Sequence, residues 1–298
     1  MQPGAVARRI AHTMFLLCAC ASPQPPTPDA PSTAAFTKDQ GGIVRGPRDE
    51  PRLALIFTGG EFGEGADHIL DVLAERGVKA SFFVTGAYIR TPEFQSHLRR
   101  IVGEGHYLGA HSDAHLLYAS WEDRSRTLIT EEEFRADLER NLSDLERYGR
   151  AREQMRFFIP PYEWYNEEIA TWAERMGLVL FNYTPGTRSN ADYMPDDHPR
   201  FISSAGIVES ILEYEQSQPH GLNGFLLLLH VGAGPGRTDK MHTLIGPLID
   251  ELRRRGYELV RVDELLGAAA SASAARDGLH APLTRTVAAG TTINASRE

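Results

Sequence analysis

Short apolar segments alternate with longer amphipathic ones between residues 53 and 262 of the 298-residue chain. Seven short segments predict strands, because each is an apolar run bounded by turn residues. The predicted strands are Leu53–Phe57, Ala80–Val84, Tyr107–Ala110, Met155–Ile159, Leu178–Tyr183, Phe225–His230 and Tyr257–Val262. Several are continuously apolar, most clearly the four leucines at 226–229. Such runs are typical of parallel strands covered on both faces.

The segments between these strands predict helices. Thr130 and Glu133 have capping-box spacing, and an apolar stripe at helical spacing follows them. The stripe consists of Phe134, Leu138, Leu142 and Leu145. Glycines at the ends of three predicted helices indicate their C-termini; they are Gly77, Gly149 and Gly256. The alternation of strands and helices predicts an α/β fold with a parallel sheet.

Composition excludes several classes of function. The formal net charge of −9 argues against a nucleic-acid partner, because such proteins usually carry basic patches. The two cysteines, Cys18 and Cys20, both lie near the N-terminus, so a domain further along has no disulfide and no thiolate metal ligand. A metal would therefore be held by histidine, aspartate or glutamate. The glycine-rich stretches lack the remainder of a nucleotide-binding motif.

The N-terminus predicts export from the cytoplasm. Arg8 and Arg9 precede a short apolar run, which leads into small residues, the order of a secretory signal. The sequence Leu-Cys-Ala-Cys, ending at Cys20, also resembles a bacterial lipobox, with plain secretion as the alternative. We expect a secreted protein or a bacterial cell-envelope lipoprotein, in the periplasm or at the outer membrane. A lipid anchor on Cys20 would be its only attachment to a membrane.

The composition also divides the chain into four parts. Residues 1–20 are predicted to be the signal peptide. Residues 21–50 are rich in Pro, Ala and Ser and predict a linker, while residues 51–266 predict the folded domain. Residues 267–298 predict a disordered tail, since they have little apolar content.

His111 and His115 stand four residues apart, directly after a predicted strand. Residues with this spacing share one face of a helical turn, and two imidazoles held in this way make half of a divalent-metal site. The alternative is a pair of surface histidines on a loop.

The segment Gly-His-Tyr-Leu-Gly-Ala-His-Ser-Asp-Ala-His at 105–115 resembles a motif of the polysaccharide deacetylases, the NodB-homology group. Four further landmarks follow the family's order. They are the strand at 53–57, the helix–turn–strand at 69–86, Pro160-Pro161-Tyr162, and the strand that ends in His230. The resemblance covers about residues 52–263. It implies an irregular (β/α)7 barrel, similar to a TIM barrel, with its chemistry at the carboxyl ends of the strands.

The resemblance also implies roles for individual residues. The family's two metal histidines fall on His111 and His115, and its catalytic acid falls on His230. The family's Asp-Asp pair, base and metal ligand, falls on Thr58 and Gly59, so this chain is a divergent member that lacks the pair.

Two supporting residues of the family are missing as well. The arginine of the third motif falls on Ile159, and the aspartate of the fourth falls on Gly186. All three histidines remain, which favours a rebuilt site over a decayed one.

Nearby residues offer replacements. Glu61 is our candidate for the third metal ligand or the base, with a solvated loop carboxylate as the alternative. Tyr162 and Trp164 are candidates for substrate binding, since aromatic faces stack on sugar rings. Arg188, oriented by Asp192, is a candidate for the missing arginine. Asp113 is a candidate partner of an imidazole in the pair.

The leading prediction is a metal-dependent hydrolase that removes acetyl groups from an acetylated polysaccharide. Zinc is the expected metal, with cobalt and nickel as alternatives, and no protein partner is predicted. A second interpretation is a catalytically silent carbohydrate-binding pseudoenzyme on the same barrel. A third is a glycoside hydrolase that uses Glu61 and Glu163 as paired carboxylates.

Overall fold

A computed structural model describes residues 35–267 of the chain. The predicted signal peptide, most of the predicted linker and the predicted tail beyond residue 267 lie outside the described residues. Within them, no helix is long and apolar enough to span a bilayer.

Within residues 35–267 the chain forms nine strands and eight α-helices. The strands are β1 (Thr37–Asp39), β2 (Gly42–Arg45), β3 (Arg52–Gly59), β4 (Ser81–Val84), β5 (Tyr107–Ala110), β6 (Phe157–Phe158), β7 (Val179–Leu180), β8 (Phe225–His230) and β9 (Glu258–Val260). The helices are α1 (Ala66–Glu75), α2 (Gly86–Arg90), α3 (Gln95–Gly103), α4 (Glu131–Glu146), α5 (Glu167–Arg175), α6 (Ser204–Ser217), α7 (Ile245–Arg254) and α8 (Val262–Leu265).

Seven of the strands form one parallel sheet. Its order is β7-β6-β5-β4-β3-β8, and β9 also pairs with β3. All seven predicted strands are present, with β6, β7 and β9 shorter than predicted. The sheet curls with helices outside it, which is the barrel-like fold that the resemblance implies.

The strand pair β1–β2 corrects the predicted linker. Residues 21–50 looked like a tether because they are rich in Pro, Ala and Ser, yet β2 is buried along its whole length. Ile43 bridges in parallel to Phe181 beyond β7, and the Val44 carbonyl accepts a bond from the Thr184 hydroxyl at 2.6 Å. Because Thr184 also donates its backbone N–H to the Leu226 carbonyl of β8, β2 helps to join the two edges of the sheet.

The central strand β3 separates two apolar layers. Leu53, Leu55 and Phe57 pack towards the helices, whereas Ala54 and Ile56 pack in the barrel interior. Since side chains alternate along a strand, Thr58 continues the interior row. Thr58 also stands in register with His230 of β8, so both residues lie at the carboxyl edge of the sheet.

The helix signals predicted from sequence are confirmed. Thr130 caps α4, and the Glu133 carboxylate accepts a hydrogen bond from the Thr130 backbone N–H at 2.7 Å. Gly77, Gly149 and Gly256 all adopt positive φ angles beyond the helices that they follow.

Candidate active site

A cavity of about 950 Å³ lies at the carboxyl ends of the strands. Six of the residues that line it carry chemistry relevant to hydrolysis: Thr58, Glu61, His111, His115, Glu163 and His230. The five sequence landmarks therefore lead to one site, as the predicted fold required.

His111 and His115 lie on a loop, so the predicted helical turn is wrong. Ser112 and His115 adopt φ angles of 71° and 53°, in the left-handed region that an α-helix does not contain. The two rings still meet edge to face, with centroids 5.1 Å apart. The pair is thus formed by a strained loop, and this loop needs support from elsewhere in the fold.

That support comes from Asp137, which is fully buried on α4. Its carboxylate accepts three bonds from the loop: from the Ser112 hydroxyl at 2.6 Å, the Asp113 N–H at 3.0 Å and the Ala114 N–H at 2.8 Å. One turn later, the Asn141 amide oxygen accepts the His111 N–H at 3.1 Å.

The two imidazoles are held neutral. Burial, reinforced by repulsion from His115, lowers the pKa of His111 to about 3. Burial, reinforced by repulsion from His230, lowers the pKa of His115 to about 4. His111 donates its Nδ1–H to the Ile159 carbonyl at 3.0 Å, which leaves Nε2 as the free lone pair. A histidine oriented in this way is suited to metal ligation.

Asp113 does not act on the imidazoles. It forms ion pairs with Arg90 at 2.6 Å and Arg140 at 3.3 Å on the outer side of the loop. Our expectation that Asp113 fixes a histidine ring is therefore wrong.

His230 forms a dyad with Asp192. Their Nδ1 and Oδ1 atoms are 2.6 Å apart, and Asp192 Oδ2 also accepts the His230 backbone N–H at 2.9 Å. Burial on its own would lower the pKa of His230, but the attraction of Asp192 and Glu163 outweighs it and raises that pKa. Asp192 therefore orients His230, whereas the sequence predicted that it would orient Arg188.

Glu163 also lines the cavity, and its backbone and its carboxylate both have an unusual environment. Tyr162 and Glu163 are both left-handed, with φ angles of 58° and 52°. Asn182 holds this turn through a 2.8 Å bond to the Glu163 carbonyl. Burial and the charge of Asp192 outweigh the attraction of His230 and raise the pKa of Glu163 to about 7.

The space beside Gly59, the position on which the resemblance places a metal aspartate, is filled. A side chain at Gly59 would place its Cβ 2.9 Å from the Tyr88 ring and 3.2 Å from Val84 Cγ1. At the neighbouring position of the missing base, Thr58 Oγ1 is buried and has no hydrogen-bond partner within residues 35–267. The space beside Gly59 is therefore already occupied by Tyr88 and Val84, while Thr58 presents a hydroxyl without a partner among residues 35–267.

The donor set falls short of a three-ligand metal site. Across residues 35–267 there is no cluster of three or more His, Cys, Asp or Glu residues that could hold an ion. Glu61 lies at the cavity wall, exposed to solvent, and does not complete a cluster with the histidine pair. His111 and His115 fit two coordination positions of a divalent ion, and the predicted third ligand is missing from the described part of the chain.

Two of the predicted substrate-binding residues lie away from the cavity surface. Arg188 is exposed and donates to the Arg200 carbonyl at 3.1 Å. Trp164 lies behind Trp121, with the rings stacked at 5.2 Å. Tyr162 does line the cavity, and its ring centroid lies 4.4 Å from that of His115.

Asp137 and Asn141 were not predicted from the sequence, although a signal was present. Both residues fall within the helical face formed by Phe134, Leu138 and Leu142, where a polar residue has to be buried. A buried carboxylate needs several donors, so this pattern indicates a carboxylate bound to another element.

Comparison with known proteins agrees with the resemblance. The family model for polysaccharide deacetylases matches residues 45–181. A peptidoglycan-N-acetylglucosamine deacetylase of Bacillus cereus is 29% identical over 220 residues, which cover 74% of this chain and 70% of that protein.

Two solved structures share the fold. One is the wild-type CE4-family pseudoenzyme of Bacillus anthracis, with a TM-score of 0.59 and 18% identity over 77% of this chain and 70% of that one. The other is a family 4 acetyl xylan esterase of Clostridium thermocellum in complex with a cobalt ion, with a TM-score of 0.54 and 22% identity over 73% of this chain and 91% of that one. In its barrel, its histidine pair and its strand-ending histidine, the chain is similar to the polysaccharide deacetylases, and it lacks the Asp-Asp pair that this resemblance places at Thr58 and Gly59.

Proposed function

We propose that the chain is a hydrolase that removes acetyl groups from a carbohydrate polymer, with acid–base groups that differ from those of its family. One observation carries the proposal: the His230–Asp192 dyad and the Glu163 carboxylate share one cavity with two neutral histidines. This arrangement supplies one cavity with both a group that can donate a proton and a group that can accept one.

His230 is the acid of this proposal. Asp192 holds the ring through Nδ1 and stabilises its charged form, so Nε2 can carry a proton into the cavity. When the bond from the acetyl carbon to the sugar nitrogen or oxygen breaks, this proton goes to the leaving atom. Asp192 then has the same positioning role as the carboxylate of a catalytic triad.

Glu163 is the base. A carboxylate with a pKa near 7 is a far stronger base than an ordinary glutamate and is still ionised in part at neutral pH. It accepts a proton from the water whose oxygen attacks the acetyl carbon. We assign this role to Glu163 rather than to Glu61 because Glu163 is half-buried and within electrostatic reach of His230, whereas Glu61 is exposed.

Thr58 supports the same reaction centre. Its buried hydroxyl has no partner in the described part of the chain and lies in register with His230. A buried hydroxyl without a partner is costly, so a substrate oxygen that accepts a hydrogen bond from Thr58 stabilises both groups. We assign Thr58 to the acetyl carbonyl oxygen.

We further propose that a divalent metal, with zinc expected and cobalt or nickel as alternatives, binds to His111 and His115. A metal held by these two histidines would supply Lewis-acid polarisation of the acetyl group. The two neutral imidazoles support this proposal, because histidine binds a metal in its neutral form.

The substrate is proposed from the relatives and from the N-terminus together. The Bacillus cereus relative is named for N-acetylglucosamine in peptidoglycan, and the export signal predicted at residues 1–20 leads to the cell envelope. We propose an acetylated envelope polysaccharide as the substrate, with the chain anchored through Cys20 or secreted.

The test is acetate release by the full-length chain from N-acetylglucosamine oligomers. We expect turnover by the wild type and a loss of about 100-fold or more in Glu163→Gln and in His230→Asn, the usual range for general acid–base groups. Glu167→Gln, an exposed glutamate on α5, is the control for the change of charge.

A carbohydrate-binding pseudoenzyme is the second candidate, favoured by the packing of Tyr88 where the family's metal aspartate would lie. Oligomer binding without any acetate release, with and without added zinc, would select it.

A further inference from the structure

Exposed aromatic side chains are concentrated at the mouth of the cavity. Among residues 35–267, five large hydrophobic side chains are exposed, and four of these five are aromatic. All four aromatic ones line the cavity: Phe62 at 39%, Trp121 at 58%, Tyr162 at 47% and Tyr193 at 44% exposure. The fifth, Leu128, is not among the lining residues. Exposed apolar surface gathered at one opening marks a binding surface.

Trp121 is the most exposed of these rings and is supported from behind. It stacks on Trp164 at 5.2 Å and 27°, and the Arg124 guanidinium lies 4.5 Å from the Trp164 ring centroid on that ring's face. Trp164 Nε1 donates to the Ser120 carbonyl at 3.1 Å, so the second tryptophan is fixed to the loop that carries the first. We call this pair of stacked rings the platform: Trp164 supports it from behind, and Trp121 is its binding face.

The loop itself is closed at its base. Ala119 bridges to Thr127, and the Ser120 N–H donates to the Arg126 carbonyl at 3.0 Å. The Ser120 hydroxyl accepts the N–H groups of Glu122 and Asp123. Because the loop is fixed, the Trp121 side chain that it carries loses little conformational freedom on binding, which favours affinity.

Trp121 is also continuous with the reaction centre. Its ring meets Tyr162 edge to face at 6.0 Å, and the Tyr162 ring lies 4.4 Å from His115. Only the Tyr162 ring therefore lies between a ligand stacked on Trp121 and His115, one of the residues of the proposed reaction centre. A sugar ring has the apolar C–H face that suits such a surface.

We propose that Trp121 is a glycan subsite, which stacks on the sugar next to the one that loses its acetyl group. This inference rests on the proposed function and deepens it: the substrate is a chain of sugars, and a single acetylated sugar leaves the platform empty.

The test compares binding of N-acetylglucosamine and of its hexamer to the full-length chain by isothermal titration calorimetry. We expect the wild type to bind the hexamer more tightly than the monomer. Trp121→Ala should weaken hexamer binding about two- to tenfold, the range for loss of one aromatic contact, and leave monomer binding unchanged. Trp121→Phe should retain part of the difference. Leu128→Ala, which removes an exposed apolar side chain outside the cavity, should change neither affinity.

Equal affinity of the wild type for monomer and hexamer would overturn the subsite. So would a Trp121→Ala variant that keeps the wild-type hexamer affinity, or one that loses monomer and hexamer equally. Because the measurement is of binding, it separates two failures: absent acetate release with intact hexamer preference would refute the proposed reaction and leave the subsite standing.

Discussion

Introducing an aspartate at position 59, where the resemblance to the polysaccharide deacetylases places a metal ligand, should require two substitutions. Gly59→Asp would place Cβ 2.9 Å from Tyr88 Cδ2, closer than packed side chains allow. Overpacking of this kind costs about 1–3 kcal/mol. We therefore expect the single variant to be less stable than the wild type and to bind zinc no more tightly.

Tyr88 is the side chain that has to yield. It is fully buried, stacks on Phe94 at 4.6 Å and pairs its hydroxyl with His97 Nδ1 at 3.1 Å. Tyr88→Ala alone should cost about 3–5 kcal/mol, as other large-to-small changes at buried aromatic residues do. In the double variant the aspartate occupies part of the space that the ring vacates. The two costs should then be less than additive, by about 1–3 kcal/mol.

Chemical denaturation and zinc titration of the four proteins check both points. The double variant should bind zinc at least about tenfold more tightly than the wild type, because it adds a third ligand to His111 and His115. Strict additivity of the two stability losses, or tight zinc binding by Gly59→Asp alone, would refute the steric reasoning.

Three further predictions concern single residues. Asp192→Asn should lower the pKa of His230, so the alkaline limb of the pH–rate profile moves to lower pH; an unmoved limb would contradict the dyad. Asp137→Ala should lower the free energy of unfolding by about 1–3 kcal/mol in denaturant titration and also reduce acetate release, because three donors of the histidine loop lose their acceptor. Burial, helped by the charge of Lys79, lowers the pKa of His106 to about 4, so its stabilising contribution is present above pH 6.5 and is lost as the pH falls towards 4. The free energy of unfolding should therefore fall by up to about 3 kcal/mol less in His106→Gln than in the wild type between pH 6.5 and pH 4. Denaturation at each pH measures this difference.

The sheet was predictable from the sequence because buried parallel strands leave an uninterrupted apolar pattern. β5 and β8 begin and end where the pattern predicted. β2 was not predicted, because Gly42–Arg45 follows a stretch rich in Pro, Ala and Ser, and its partners at 181–184 are far away in sequence.

The site was predictable only where a motif carried it. The histidines were found by spacing, but their loop conformation depends on Asp137, a contact that spans more than twenty residues of sequence. The pairing of Asp192 with His230 likewise joins a loop to the end of β8, and no local pattern relates the two. Trp121 was missed because an isolated tryptophan in a polar loop resembles any exposed residue until its cavity is known.

The most direct test of the central claim is acetate release from N-acetylglucosamine hexamer by the wild type, Glu163→Gln and Glu61→Gln, compared at saturating zinc. The site described above predicts turnover by the wild type, its loss in Glu163→Gln, and most of the rate retained in Glu61→Gln. Loss of activity in Glu61→Gln with full activity in Glu163→Gln would contradict the assignment of the base. Absence of acetate release by the wild type would contradict the hydrolase itself.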